Sequence, residues 1–250
     1  MKRLTFILGG VLFLLQACAP EPVYRLKSRA AEKNITYHKG VQYITLQNDS
    51  VQVVMSYYKH YSGIFSMDVE VDNNTNQIIR VNPKDFKYEA FEGVNADSSV
   101  QPIATRWAKD PEEKMLNIDL AISQQEANKK TDDLFFVAMQ GIAVTQGVTA
   151  DNDEERRKAS RQIHRNNVDH AVDRQQYHAN QVGLKNRREI WQQDALRTTD
   201  LWPGDSIRGL IFFETDSHAS AYDFLIDIEG RKFSSWFWQF KYYPNQPTED

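Results

Sequence analysis

The chain has 250 residues, 34 of them acidic and 30 basic, for a formal charge of −4. That balance excludes a general nucleic-acid binder, which needs a basic domain, while the length suffices for one well-packed domain plus an insertion. Cys18 is the one cysteine, so no internal disulfide forms. Neither a phosphate-cradling Gly-rich loop nor a Gly-x-Ser-x-Gly elbow is present.

Lys2 and Arg3 precede the apolar run Leu4–Leu15, a pattern that predicts a signal peptide over 1–17 and is too short for a comfortable membrane span. Leu15-Gln16-Ala17-Cys18 resembles the lipobox of bacterial lipoproteins, with Gln16 where that family more often has a small residue. The resemblance implies cleavage before Cys18 and acylation of its sulfur and amine. Each buried methylene contributes about 0.8 kcal/mol, so two or three chains hold a protein on a bilayer. Ala19 stands where an Asp would retain such lipoproteins at the inner membrane, which implies the outer membrane, facing the periplasm. Residues 18–40 carry Pro20, Pro22 and scattered charges and read as the lipidated Cys and its tether, with a short helix around Lys27 to Lys33.

From Val41 the texture is that of strands: Val41–Leu46, Val51–Tyr58, Ile64–Val71, Ile78–Val81, Asp85–Phe91 and Gln101–Trp107, with turns at Asn48-Asp49 and Asp72–Asn76. Residues 108–198 then depart from that texture. Asp110-Pro111-Glu112-Glu113 is a helix start, with an N-cap, a proline at the first helical position and acids at the positive dipole end. Leu134 to Val148 is mostly apolar and interrupted by Gly141 and Gly147. It reads as a buried helix or hairpin in preference to a membrane span. Asp151 to Arg197 is long, charged and free of proline, which predicts a solvated helix.

The stretch Leu201–Glu214 begins with a turn: Pro203 presets φ, and Gly204 supplies the positive φ that a type II turn requires. Ile207, Gly209, Ile211 and Phe213 then alternate with Arg208, Leu210, Phe212 and Glu214, the period of a strand. Further strands read Tyr222–Ile228 and Lys232–Tyr242, joined by a turn at Gly230-Arg231. This order resembles the late strands of telokin-like, immunoglobulin-like domains in bacterial lipoproteins of unknown function. The Asn-rich turn, the Ile78-Ile79 pair and Pro83-Lys84-Asp85-Phe86 extend the resemblance to the early half. It covers about 41–107 and 199–243, and the matching residues in that family are structural. The expected fold is therefore mainly β: an immunoglobulin-like β-sandwich of residues 41–107 plus 199–243, interrupted by a long α-helical insertion at 108–198 and followed by a tail at 244–250.

Three groups of residues are candidate sites. His164, His170 and His178 lie on the polar helix beside Asp169 and Asp173, and none of them has the i,i+4 partner that places two imidazoles on one metal. A solvated helix face is the plainer reading; an ion shared by His170 and Asp173 in a metal-dependent hydrolase is the rival. Trp236, Trp238 and Phe240 share one strand face with Tyr242, either as a stacking platform for sugar or peptide or as a surface covered by the insertion. Ile190 and Trp191 are apolar on an otherwise polar helix and suit a partner surface. These observations lead to an expectation of a non-catalytic binding or scaffolding module in the cell envelope, with no metal and no cofactor. Its partners would be the membrane, through Cys18, and an envelope protein, but not nucleic acid. Loops longer than packing requires are more often functional than structural, which puts the partner surface on the insertion.

Overall fold

The computed structural model describes residues 23–28, 34–61, 63–93, 101–150 and 152–242. The expected signal peptide 1–17, Cys18, Tyr243 and the tail 244–250 lie outside the described residues. The chain divides into two compact units, one from the residues up to Lys109 together with those from Leu196, the other from Asp110–Ala195.

The first unit is built of strands. The sequence alternates along β1 (Val23–Ser28), β2 (Ile35–His38), β3 (Val41–Asn48), β4 (Val51–Tyr61), β5 (Ile64–Asn73), β6 (Ile79–Val81), β7 (Phe86–Phe91) and β8 (Ala104–Trp107). After the insertion come β9 (Thr199–Leu201), β10 (Ser206–Glu214), β11 (Ala221–Ile228) and β12 (Arg231–Tyr242). They form two five-stranded sheets in the orders β1-β12-β11-β7-β8 and β10-β5-β4-β3-β2, with a small β6-β9 ladder. Every pairing in the two large sheets is antiparallel.

Phe65, Met67, Val69 and Val71 of β5 are fully buried, and Phe213 and Ile211 of β10 sit opposite Phe65 and Met67. Their partners across the core come from the other sheet. The Phe65 ring lies 5.6 Å from Tyr88, 5.4 Å from Tyr222 and 5.8 Å from Phe224. The two sheets thus share one aromatic core, in a sandwich-like arrangement, and each large side chain buried there contributes about 1.5–3 kcal/mol. The two tyrosines keep a polar tip satisfied: Tyr88 Oη donates to the Glu214 carbonyl at 2.6 Å, and Tyr222 Oη to the Asp216 carbonyl at 2.9 Å. Burial pushes both phenols above their ordinary pKa.

Gly204 has φ +84°, and Asp205 N donates to the Trp202 carbonyl at 3.0 Å, closing the Pro203-Gly204 turn. The β11–β12 turn falls at Glu229-Gly230, one residue earlier than expected, because Ile228 pairs with Arg231.

The tether expected over 18–40 contains two strands of these sheets. Leu26 and Ser28 of β1 are buried, and β1 runs along β12 from Val23 opposite Tyr242 to Ser28 opposite Phe237. The outward Arg25 and Lys27 give the segment a tether-like composition. β2 turns into β3 through Lys39-Gly40, both at positive φ.

The second unit is an antiparallel helical hairpin, α1 (Pro111–Val148) and α2 (Asp153–Gln193). Asp110 caps α1 by accepting from Glu112 N, and Asn152 caps α2 by accepting from Glu155 N at 2.9 Å. α1 runs unbroken through Gly141 and Gly147, so the expected interruption is absent. A Cβ on Gly147 would lie 3.3 Å from Ala159 Cβ, so the missing side chain lets the two helices approach near the hairpin bend. Within the first unit, both ends of the insertion are tied to one strand. Lys109 N donates to the Phe212 carbonyl at 2.8 Å, and Leu196 N to the Leu210 carbonyl at 2.9 Å.

Candidate binding surfaces

In β12 the residues at odd positions, Phe233, Ser235 and Phe237, are buried in the core, which turns Trp236, Trp238 and Phe240 to the outer face of the sheet. Strand register brings neighbours to them that are distant in sequence. Trp236 stands beside Asp223 of β11, Asp223 beside Glu89 of β7, and Trp238 beside Ala221, which in turn faces Phe91. The rings of Phe91 and Trp236 are 4.7 Å apart and those of Trp236 and Trp238 6.1 Å. Lys27 Nζ lies 5.5 Å from the Phe240 ring. The three aromatics are half-buried, neither sealed in a core nor fully open.

The charges on this face are organised. Lys87 and Glu89 form an ion pair at 2.9 Å, and the Asp223 carboxylate accepts from Ser234 Oγ at 2.6 Å. Burial raises the Asp223 pKa, the Ser234 bond lowers it, and the Glu89 charge adds to the rise. A groove of about 660 Å³ lies further along, lined by Trp107, Lys87, Leu225, Asp227 and Lys232. The sequence alone does not join Phe91, Trp107 or Asp223 to the Trp236 row, because only long-range register does so.

On the hairpin the interhelical seam joins buried Ala143 and Ala159 with several polar pairs. Arg188 makes a bidentate pair with Asp119 (2.6 and 3.3 Å), Gln181 reaches Gln125 at 3.4 Å, and His170 Nε2 bonds Asp133 Oδ1 at 2.9 Å. His170 also stacks on Phe136, with centroids 4.0 Å apart. Hydrogen bonds from Lys129 and His170 hold the Asp133 carboxyl below its ordinary pKa. A groove of about 520 Å³ runs here between the helices. His170 thus faces the other helix and bonds Asp133, in place of the solvated face expected for it and of the rival pairing with Asp173. Among the described residues no group of three or more His, Cys, Asp and Glu side chains is placed to hold a metal. Gln140 Oε1 and Asn166 Nδ2 are buried without a hydrogen-bond partner.

α1 also turns large apolar residues outward. Leu134 is 73% exposed, Phe135 66% and Val148 80%. The segment 134–148 was expected to be buried, because its run of apolar residues says nothing of what lies opposite. No helix among the described residues is long and apolar enough to cross a membrane. Ile190 is exposed and Trp191 half-buried on the last turns of α2; adjacent helical positions diverge by about 100°, so the two do not share one face.

No protein-family profile matches this chain, and comparison with curated proteins and with solved structures finds no match either.

Proposed function

We propose that this chain is a lipid-anchored lipoprotein of the bacterial cell envelope, tethered through Cys18 to the outer membrane and facing the periplasm. In this reading it acts as a non-catalytic binding or scaffolding module. An immunoglobulin-like sandwich is the frame, and the helical hairpin captures a protein partner. The observation that carries the reading is the exposure of Leu134, Phe135 and Val148 on α1. Large exposed apolar patches on a folded unit mark interaction sites.

The test is excision. Lys109 and Leu196 bond to carbonyls two residues apart on β10, a span of roughly 7 Å, so a short Gly/Ser linker can replace Asp110–Ala195. The trimmed lipoprotein is expected to fold and to lose the partners crosslinked to the full chain in intact envelopes. Retention of the same partners by the trimmed protein overturns the reading.

The outer-face row favours a second reading, in which Trp236, Trp238 and Phe240 form a platform for sugar or peptide. Half-exposed aromatics beside the carboxylates of Asp223 and Glu89 supply both stacking and polar recognition. Quenching of tryptophan fluorescence by soluble envelope glycan fragments, lost in Trp236→Ala and Trp238→Ala, supports it. Titrations that leave the spectrum of the intact chain unchanged rule out the sugar version.

A further inference from the structure

We propose that the outward face of α1 is a self-association seam, along which the helical hairpins of two copies of this chain pack together. The inference rests on the hairpin being the partner-binding part and names the partner.

The first support is an uncovered apolar face. A two-helix hairpin ordinarily turns its apolar stripe toward its own partner helix and its charges toward water. Here the inner side already holds buried Ala143 and Ala159 and the Phe136 ring beside the Asp119–Arg188, Asp133–His170 and Gln125–Gln181 pairs, and α1 carries a further apolar face turned away from α2. No charged residue occurs in 134–150, and within it Leu134, Phe135, Val137, Ile142, Val144 and Val148 are 51–80% exposed. A face without charge loses no ion hydration when it is covered, whereas the cost of leaving it in water is the full apolar term.

The second support is spacing. Leu134, Ala138, Gly141, Thr145 and Val148 follow one another at steps of four, three, four and three, and the same steps run back through Thr131 and Ala127 to Gln124 and Leu120. All of these positions are exposed. This spacing lines Leu120, Leu134 and Val148 along one face with smaller residues such as Ala138 and Gly141 between them, so that a second helix can lie along it.

The third support is area. Together with Leu116 and Leu120, the exposed apolar side chains of α1 present on the order of 800 Å², the share that one partner gives to an interface of standard size.

These features also select the occupant. A helix lying on a bilayer flanks its large apolar side chains with several basic ones; 134–150 carries no basic residue, and Ala138, Gly141 and Thr145 between its large side chains admit a close helix–helix approach. A heterologous protein would have to supply an uncharged helical strip of matching length. A second copy supplies it by identity, in an isologous contact where the same patch serves both sides.

The experiment uses the full lipidated chain in intact envelopes. Cys18 is the only native cysteine, so Leu134→Cys introduces a single new thiol. Oxidation is expected to give a disulfide-linked species of twice the chain mass for Leu134→Cys, and none for Gln175→Cys on the exposed part of α2. In detergent-extracted protein at micromolar concentration, sedimentation is expected to report a dimer for the native chain. Ala138→Arg, and independently Thr145→Lys, should give a monomer with unchanged helical circular dichroism and at least a tenfold weaker association. A native chain that sediments as a monomer, or a dimer that survives both substitutions, overturns the proposal. If Leu134→Cys links only to a protein of different mass, self-association is wrong and the hairpin remains a partner surface. If the substitutions abolish binding to vesicles of anionic and zwitterionic phospholipid without changing the mass in solution, the occupant is a bilayer and the proposal fails. Failure of the broader reading is separate: it is the retention of crosslinked partners after the hairpin is excised.

Discussion

The Asn73 side-chain amide donates to the Leu201 carbonyl at 2.9 Å, joining the end of β5 to β9 across the whole insertion. The same amide donates to the Gln77 carbonyl at 2.8 Å, and its oxygen accepts from Thr75 N and Oγ1. Asn73 is fully buried, and its backbone carbonyl takes the Gly204 N–H at 2.7 Å. One residue therefore registers the β5–β6 turn and β9 through its side chain, and the Pro203-Gly204 turn through its backbone carbonyl.

Asn73→Ala is expected to destabilise the strand unit by about 2–4 kcal/mol, because buried carbonyls lose their donor and a polar site is left empty. In urea denaturation the midpoint should fall while the slope holds. Asn73→Asp keeps the acceptor and loses the donor, and is expected to be as damaging. Loss of less than half a kcal/mol in both variants would show that the clamp is dispensable.

Asp223 gives a pH dependence whose sign follows from its raised pKa. The folded chain holds this proton to higher pH than the unfolded chain does, so its contribution favours folding most at acid pH. That contribution is lost as pH rises from the ordinary carboxylate range through the raised value. Asp223→Asn removes the dependence while leaving an acceptor for Ser234. It is expected to raise the melting temperature at pH 8 relative to the native chain, with the difference vanishing near pH 3. A lower melting temperature at pH 8 would contradict the burial argument.

Asp133 behaves in the opposite direction. Its pKa is lowered by hydrogen bonds from Lys129 and His170, so the stability it supplies is present above the ordinary carboxylate pKa. It is lost as pH falls through the lowered value. The helical signal at 222 nm comes mainly from the hairpin, so acid titration of native chain against Asp133→Asn isolates this pair. The native chain should lose helix on acidification and the variant should show a shallower change; identical curves would show that the pair does not hold the seam.

For the anchor, Cys18→Ser is expected to abolish incorporation of radiolabelled fatty acid and to leave uncleaved precursor or soluble protein. A variant that remains membrane-bound after a high-salt wash would refute lipid anchoring.

Much of the strand unit is legible in local sequence, because a strand half in a core writes a period of two. Ile207, Gly209, Ile211 and Phe213 can be placed on one face before any partner is known, and they line up with Val71, Val69, Met67 and Phe65. β1 is not legible in this way. Its short run Val23–Ser28 becomes a strand only by pairing with β12 at the other end of the chain. The same limit hides the Trp236 surroundings, which depend on β7 and β11 lying side by side. The exposed face of α1 fails for a different reason: hydropathy registers that Leu134–Val148 is apolar, while burial depends on what a neighbouring element covers, and here Ala143 is buried while Leu134 and Val148 are exposed.

The tie of Lys109 and Leu196 to neighbouring carbonyls of β10 bears on how quickly this chain reaches its native state. β5 must find β10, and β7 must find β11, across the intervening insertion. Closing so long a loop as random coil slows folding, since the search entropy is lost before any ladder bond repays it. Helices form on the microsecond scale from local contacts. Once α1 and α2 lie antiparallel, the points where the chain departs from the strands and rejoins them are neighbours. Late strands then search for early ones as though joined by a short connection, and excising the hairpin for a short linker should leave the refolding rate nearly unchanged. Substituting a flexible coil of the same length should slow refolding.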